Sequence, residues 1–323
     1  MNVWIRVISA GLLGLNLCLA QGSQISVLQI GIEKVVLYIN DVTDFTKLAT
    51  DPAVTTRQAS RNFNLSQFIG DIVTVNGKPA RGTWTTKARA WGLSPNPTGG
   101  QAIADTTRGW VEDIVWELQQ SDGSAVGSIM ASGFRQGPMP PGNTLAGGTS
   151  SFAITGGTGA FLGVRGQAVF SATVAARAAS VTEDPTYRRV HGGGTVQFVL
   201  QLIPLARPEV RSILHADLTP VTVSSPARAG EILILAVTNL GPTSPGVDPG
   251  TPFAQNPLAI AISPVAVIIN GQSVETVNQL GWPGTTDVYR VDFRVPTGIS
   301  PGTSKLMVSA AWFVGPAVEI PVR

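Results

Sequence analysis

The sequence predicts an all-β chain: an antiparallel eight-stranded barrel followed by an immunoglobulin-like β-sandwich. Three observations predict it. Glycine (36) and proline (23) are abundant among the 323 residues while charged residues make up only 13%, the composition of strands joined by tight turns. No amphipathic helical period is sustained beyond the first 20 residues. Along the rest of the chain, short alternating or β-branched runs are separated by Gly, Pro and Asn-Gly signals.

Residues 1–20 carry Arg6, an apolar run from Val7 to Leu19 and a small residue at Ala20. This is the pattern of an export signal cleaved after Ala20. A membrane anchor is the alternative, but the run is shorter than the ~20 residues a bilayer needs. Cys18 invites a lipoprotein reading, yet Leu15-Asn16-Leu17 ahead of it lacks the small neighbour of a lipid-modified cysteine. Cleavage removes the one cysteine, so the mature chain is expected to have no disulfide, thiol nucleophile or thiolate metal site. It also leaves no transmembrane segment, and the expected location is secreted or extracytoplasmic. With 43% hydrophobic residues there is material for one or two cores. The formal charge of +2 falls to about +1 on loss of Arg6, and Lys and Arg are scattered singly. No nucleic-acid partner is expected.

In the first part, assigned to residues 25–205, strands are expected at Val27 to Asn40, Ile69 to Val75, Arg81 to Trp91, Gly109 to Gln119, Ala125 to Phe134, Ser150 to Thr155, Gly166 to Ala175 and Gly194 to Ile203. The last alternates plainly, with Val196, Phe198, Leu200 and Leu202 on one face and Thr195, Gln197 and Gln201 on the other. Such strands have one wet and one buried face, and eight of them can close into a barrel that leaves no edge. Asn76-Gly77 and Asp122-Gly123 are hairpin turns. Gly137 to Gly148, around Pro-Met-Pro-Pro, reads as an irregular loop. Pro204 to Val210 carries two prolines and reads as a stiff linker dividing the chain near residue 207. Residues 209–323 have the size of an immunoglobulin-like sandwich, with strands at Glu231 to Val237, Ala259 to Ile269, Val288 to Val295, Lys305 to Ala311 and Ala317 to Val322, and a hairpin at Asn270-Gly271.

The run from Ile154 to Gln167 imitates a dinucleotide-binding loop. Such a loop needs a helix after its glycines to meet the pyrophosphate and an acidic residue about 20 positions later. After Gly166 the chain reads Gln-Ala-Val-Phe-Ser-Ala-Thr-Val, a strand pattern, and Glu183 and Asp184 precede Pro185 in a loop-like stretch. Gly156, Gly157, Gly159, Gly163 and Gly166 are therefore read as structural turn residues, and no cofactor is expected.

The stretch Gly156-Gly157-Thr158-Gly159-Ala160-Phe161 with Arg165-Gly166, together with the opening strand Val36 to Val42, resembles the barrel shared by plant allene oxide cyclases and dirigent proteins, over roughly residues 30 to 203. The resemblance implies a closed barrel with an apolar cavity, without metal or redox cofactor, that encloses a reactive hydrophobic molecule so that one conformer reacts. Asn40 falls where the cyclases have an asparagine that positions a water, and Asp41 where dirigent proteins have an aspartate after a histidine. Tyr38 stands at the cyclase carboxylate position and Asn40 at the dirigent histidine position, so neither constellation is intact.

Strand alternation places Tyr38 and Asn40 on one face and Asp41 on the other. If the first face lines the barrel, Tyr38 and Asn40 make a polar spot in an apolar cavity; alternatively Asn40-Asp41 caps the turn into Thr43-Asp44. The pocket candidates are Tyr38, Asn40, Asp41, Trp84 and Arg165. Arg165 also reads as a donor between loops, and Trp84, with Trp91, Trp110 and Trp116, as core or barrel wall, with ligand stacking the lesser alternative.

The second part resembles a C-terminal domain of exported acidobacterial proteins, a Solibacter-type family. The matching residues are Ser225 to Ile232, Asn239-Leu240-Gly241-Pro242, Val267 to Gly271 and Tyr289 to Pro296. Asp292 stands where an asparagine is usual, and Thr285-Thr286-Asp287 replaces a Gly-Leu-Tyr stretch. The resemblance implies no activity, only a domain that ends diverse extracytoplasmic chains.

Other chemistry finds no support. His191 and His215 fall in different parts, which disfavours a zinc site or a triad, and no metal is expected. Glu112 and Asp113 alternate onto opposite faces, so they do not form a glycosidase pair. Asp248 and Asp287 lie in no regular calcium-ligand run. There is no Gly-x-Ser-x-Gly elbow and no Walker loop. Three readings remain, in this order: an exported barrel binding a small hydrophobic or phenolic molecule; a cell-surface or matrix interaction protein with a filled barrel; and a cofactor-free cyclase or isomerase guided by Tyr38, Asn40 and Asp41. The oligomeric state is left open.

Overall fold

The computed structural model describes residues 25–41, 64–90, 110–135, 150–179 and 183–323. The export segment with Cys18, the Thr43-Asp44 turn, Trp91, Gly109 and the Pro-Met-Pro-Pro loop lie outside them. The described chain is all-β, with 3-10 turns and no α-helix, and no helix among the described residues is long and apolar enough to cross a membrane.

Eight strands close the barrel. β1 (Ser26–Asp41), β2 (Asn64–Val75), β3 (Lys78–Ala90), β4 (Trp110–Gln119), β5 (Ala125–Arg135), β6 (Ser150–Gly157) and β7 (Arg165–Val174) follow one another. After the short β8 (Arg177–Ala178), β9 (Gly194–Ile203) runs antiparallel between β7 and β1, and β1 pairs with β2 to complete the ring. Closure satisfies the backbone of every barrel strand without a free edge. β8 lies parallel to the far end of β1, opposite Val36 and Leu37.

Alternation sets the faces. In β4, Glu112, Ile114, Trp116 and Leu118 are buried while Asp113 and Glu117 are exposed. In β9, Val196, Phe198, Leu200 and Leu202 point inward. The Phe198 ring lies 5.5 Å from Trp84 and 4.9 Å from Trp116, and with Ile30, Ile32 and Ile129 these rings fill the middle of the cylinder. β1 changes phase part-way along its length. Lys34 takes a positive φ of 53°, and the register with β2 and β9 shifts between Ile32 and Val36. Such a bulge flips the later side chains to the opposite face.

The two ends of the barrel differ. One holds the tight connections: Asn76-Gly77, with φ of 51° and 73° as a two-residue primed turn requires; the Gln120–Ser124 loop; and the 3-10 turn Gly159–Phe161. The far end holds the long connections between β1 and β2, β3 and β4, β5 and β6, and β7 and β9.

The second part contains two sheets. The first orders β10 (Glu209–Leu214), β11 (Ile232–Thr238), β17 (Val288–Arg294), β16 (Thr276–Gly281), β13 (Ile260–Ala261) and β12 (Thr243–Ser244). The second orders β15 (Gln272–Val274), β14 (Val265–Ile269), β18 (Gly302–Ala310) and β19 (Phe313–Val314), with β20 (Val318–Val322) on β18. Leu233, Leu235, Val291 and Phe293 of one sheet share a core with Val267, Ile269, Leu306, Val308 and Ile320 of the other.

Two expectations are corrected here. Ala259 to Ile269 is not one strand: it is β13 and β14, in different sheets. Pro264 lies between them, has no N–H for a ladder, and offers its carbonyl to Ala311 N at 3.1 Å. Residues 209–210, expected in the linker, already belong to β10, with Val210 opposite Val237.

The two parts are joined by contacts as well as by chain. Ala311 and Phe313 belong to the barrel's hydrophobic cluster. Phe161 meets Phe313 edge-on at 6.0 Å and stacks on Trp312 at 6.3 Å. Gln120 Nε2 donates to Ile262 O at 2.6 Å, and Arg207 donates to Val314 O at 2.8 Å and to Ser26 Oγ at 3.0 Å.

Candidate functional site

A polar belt lies inside the far end of the barrel, one layer beyond the aromatic plug. Its backbone frame is the register Ser66↔Ala88↔Glu112↔Gly133↔Phe152, with Arg135 opposite Ser150 at the next inward position. Glu112 is 1% exposed. It lies on the same face of β4 as Trp110, Ile114 and Trp116, so the strand that builds the wall also carries a carboxylate into it. Arg135, the last residue of β5, reaches back. Its Nη2 donates to Glu112 Oε2 at 3.1 Å, and its Nε lies against Glu112 Oε1. Thr86 Oγ1 donates to the same Oε2 at 3.4 Å.

Aromatic faces hold the guanidinium. Its carbon sits 4.2 Å from the centre of the Phe68 ring and 4.6 Å from that of Phe170, a cation–π arrangement on two sides. Trp110 meets Phe68 edge-on at 6.5 Å. Ser66 and Ser150 are buried within this layer, and their hydroxyls have no hydrogen-bond partner among the described residues. Burial raises the Glu112 carboxyl above its ordinary range, against the opposing pull of Arg135. Burial likewise lowers Arg135, and Glu112 counters it. The arrangement sets a charge-assisted donor and acceptor, with two hydroxyls beside them that have no partner among the described residues, into an otherwise apolar wall.

The expected pocket residues do not converge on this belt. Trp84 is core, 1% exposed against Phe68 and Phe198. After the Lys34 bulge, Val35 and Leu37 take the inward positions, and Tyr38 faces outward towards residues 177–188. Its hydroxyl is buried without a partner among the described residues, and burial, then the Glu183 charge, raises its phenol above the ordinary value. Around it Arg177 grips Glu183 at 2.6 and 2.7 Å, and Arg188 and Arg189 both grip Asp71. Asn40 and Asp41 pair through their backbones with Leu65 and Asn64; their side chains lie outside the described residues. Arg165 is at the opposite end of the barrel, where its Nη1 donates to Val164 O at 2.9 Å.

The glycine corner is a strand end, a turn and a strand start. Gly156 and Gly157 close β6, Gly159 opens the three-residue 3-10 turn with φ of 61°, Gly163 follows it, and Gly166 sits inside β7 against the Gln201 carbonyl. No helix follows to present a row of N–H groups to a phosphate. Among the described residues no three His, Cys, Asp or Glu side chains gather as metal ligands.

No protein-family model matches the chain, and neither does any curated protein. The site therefore stands on its own chemistry. Sequence reasoning had Glu112 in hand and dismissed it only as half of a carboxylate pair; the overlooked signal was a lone acid on an otherwise apolar strand face. Arg135 had no comparable signal, because a strand-terminal arginine next to a loop reads as solvated.

Proposed function

We propose that this chain is an exported binding protein that takes a small hydrophobic or phenolic molecule at the far end of its barrel. The observation that carries the reading is the Arg135–Glu112 pair held between Phe68 and Phe170 beside the unpaired hydroxyls of Ser66 and Ser150. An aromatic or alicyclic body would lie against the rings, and its oxygen would accept from the guanidinium. A charge-assisted bond of that kind is stronger than a neutral one and specific in direction. The resemblance to the allene oxide cyclase and dirigent barrels supports the same type of ligand, and the second part would serve as an attached immunoglobulin-like sandwich. The cyclase reading is not favoured, because Tyr38 faces away from the belt.

A filled-barrel interaction protein is the second reading, favoured by the packing of Trp84, Trp116 and Phe198 across the middle of the cylinder. Calorimetry with 4-propylphenol and propylbenzene separates the two. Binding of both, with Arg135→Met weakening the phenol about tenfold and leaving the hydrocarbon unchanged, is the outcome expected of the ligand-binding reading. No heat from either compound would reject it in favour of the filled barrel.

A further inference from the structure

A cavity of about 380 Å³ opens at the seam between the hairpin end of the barrel and the second part. The barrel side contributes the 3-10 turn, with Phe161 at its floor; the connecting segment contributes Leu205; the second part contributes Phe253, Tyr289 and Phe313. Leu205 is 73% exposed and Leu162, also in the wall, 68%, large values for apolar side chains that no neighbour covers. The volume falls in the range of small-molecule pockets, ~300–1,000 Å³.

The wall is charged in one sense only. It includes Asp248 and Asp287 and no Lys, Arg or His. Neither carboxylate makes a side-chain hydrogen bond or ion pair among the described residues. Tyr289 donates its hydroxyl proton to Gly241 O, and its phenol is pushed up to about 12 by burial first and the Asp287 charge second. It therefore stays neutral, with its ring tilted against Phe253 at a centroid distance of 5.1 Å. Two unpaired carboxylates in the wall of a largely apolar cavity attract a cation that also has an apolar body. A bare divalent ion fits poorly, since calcium wants six to eight oxygens and no third acidic ligand joins the two aspartates.

We propose that the seam is a binding site for a small organic cation, an ammonium group at Asp248 and Asp287 on a hydrophobic body seated over Phe161, Leu205 and Tyr289. This site is independent of the barrel belt, which presents a cation of its own. The test uses the full chain and three probes of one shape: 4-phenylbutylamine, 4-phenylbutan-1-ol and 4-phenylbutanoate, titrated by calorimetry at neutral pH. The amine should bind about tenfold or more tighter than the alcohol, whereas any binding of the carboxylate, whose anion suits Arg135 in the barrel, should not depend on Asp248 and Asp287. In the Asp248→Asn, Asp287→Asn double variant the amine should fall to the affinity of the alcohol. Both positions are exposed and asparagine suits the positive φ of 58° at Asp287, so the fold should persist. Equal affinities for the amine and the alcohol on the wild-type chain would overturn the proposal, as would full amine affinity in the double variant.

Discussion

Glu112 and Arg135 are the residues on which the barrel's far end depends. Each keeps the other's charge in a place neither would occupy alone. Glu112→Ala leaves a guanidinium buried against two phenyl rings without its anion, and the expected loss of stability is about 3–5 kcal/mol by urea unfolding. Replacing both, with Glu112→Leu and Arg135→Met, should recover most of that loss while abolishing selectivity for the phenol probe. A second ionic contact makes stability depend on pH. His215 Nδ1 lies 2.6 Å from Glu231 Oε1, and that bond raises the imidazole above its ordinary 6.5. Because the folded form holds the proton more tightly, the stabilisation is complete below pH 6.5 and fades as pH rises through the raised folded value. The urea midpoint should therefore drop as pH rises above 6.5, and His215→Gln should remove that slope. At this scale the sequence was legible for polarity but not for direction. Trp84, read as core or wall and as a pocket candidate, lies in the core, whereas the inward or outward aim of Tyr38 depended on a one-residue bulge at Lys34 that no local pattern announces.

At the scale of elements, legibility follows the strength of the turn chemistry. Asn76-Gly77 and Asn270-Gly271 take the positive φ values their residues favour, and the hairpins around them lie where expected. Strand ends were blurred, as with β2, which starts at Asn64 rather than Ile69 because its first residues pair with β1 in a stretch with no apolar alternation. Ala259 to Ile269 misled because both halves are apolar and only Pro264 marks the change of sheet. The glycine corner tests how far a turn tolerates change. A Cβ on Gly159 would meet Val126 O at 2.5 Å on a backbone with φ of 61°, whereas one on Gly156 would meet only the end of the Arg165 side chain at 3.3 Å. Gly159→Ala should cost about 2–4 kcal/mol in urea unfolding and Gly156→Ala less than about 1.

For the whole molecule, the seam matters as much as either part. Phe313, carried on β19, belongs to the barrel's cluster although its strand belongs to the second part. Phe313→Ala should lower stability by about 3–5 kcal/mol, and in calorimetry the single transition expected of the intact chain should broaden or divide as the parts uncouple. The linker reading covered the prolines near residue 207 but not this docking, which depends on Ala311 at the end of an expected strand and on Phe313 just beyond it, in a stretch expected to be no strand. Ring closure carries a further consequence, for the order of folding. The cylinder shuts where β1 meets β9, so the earliest strand of the barrel must find the latest, some 170 positions along the chain. Until Gly194 to Ile203 arrive, β1 and β7 have unsatisfied backbone flanks, and that nascent curved ribbon is the species most exposed to aggregation and in greatest need of a chaperone.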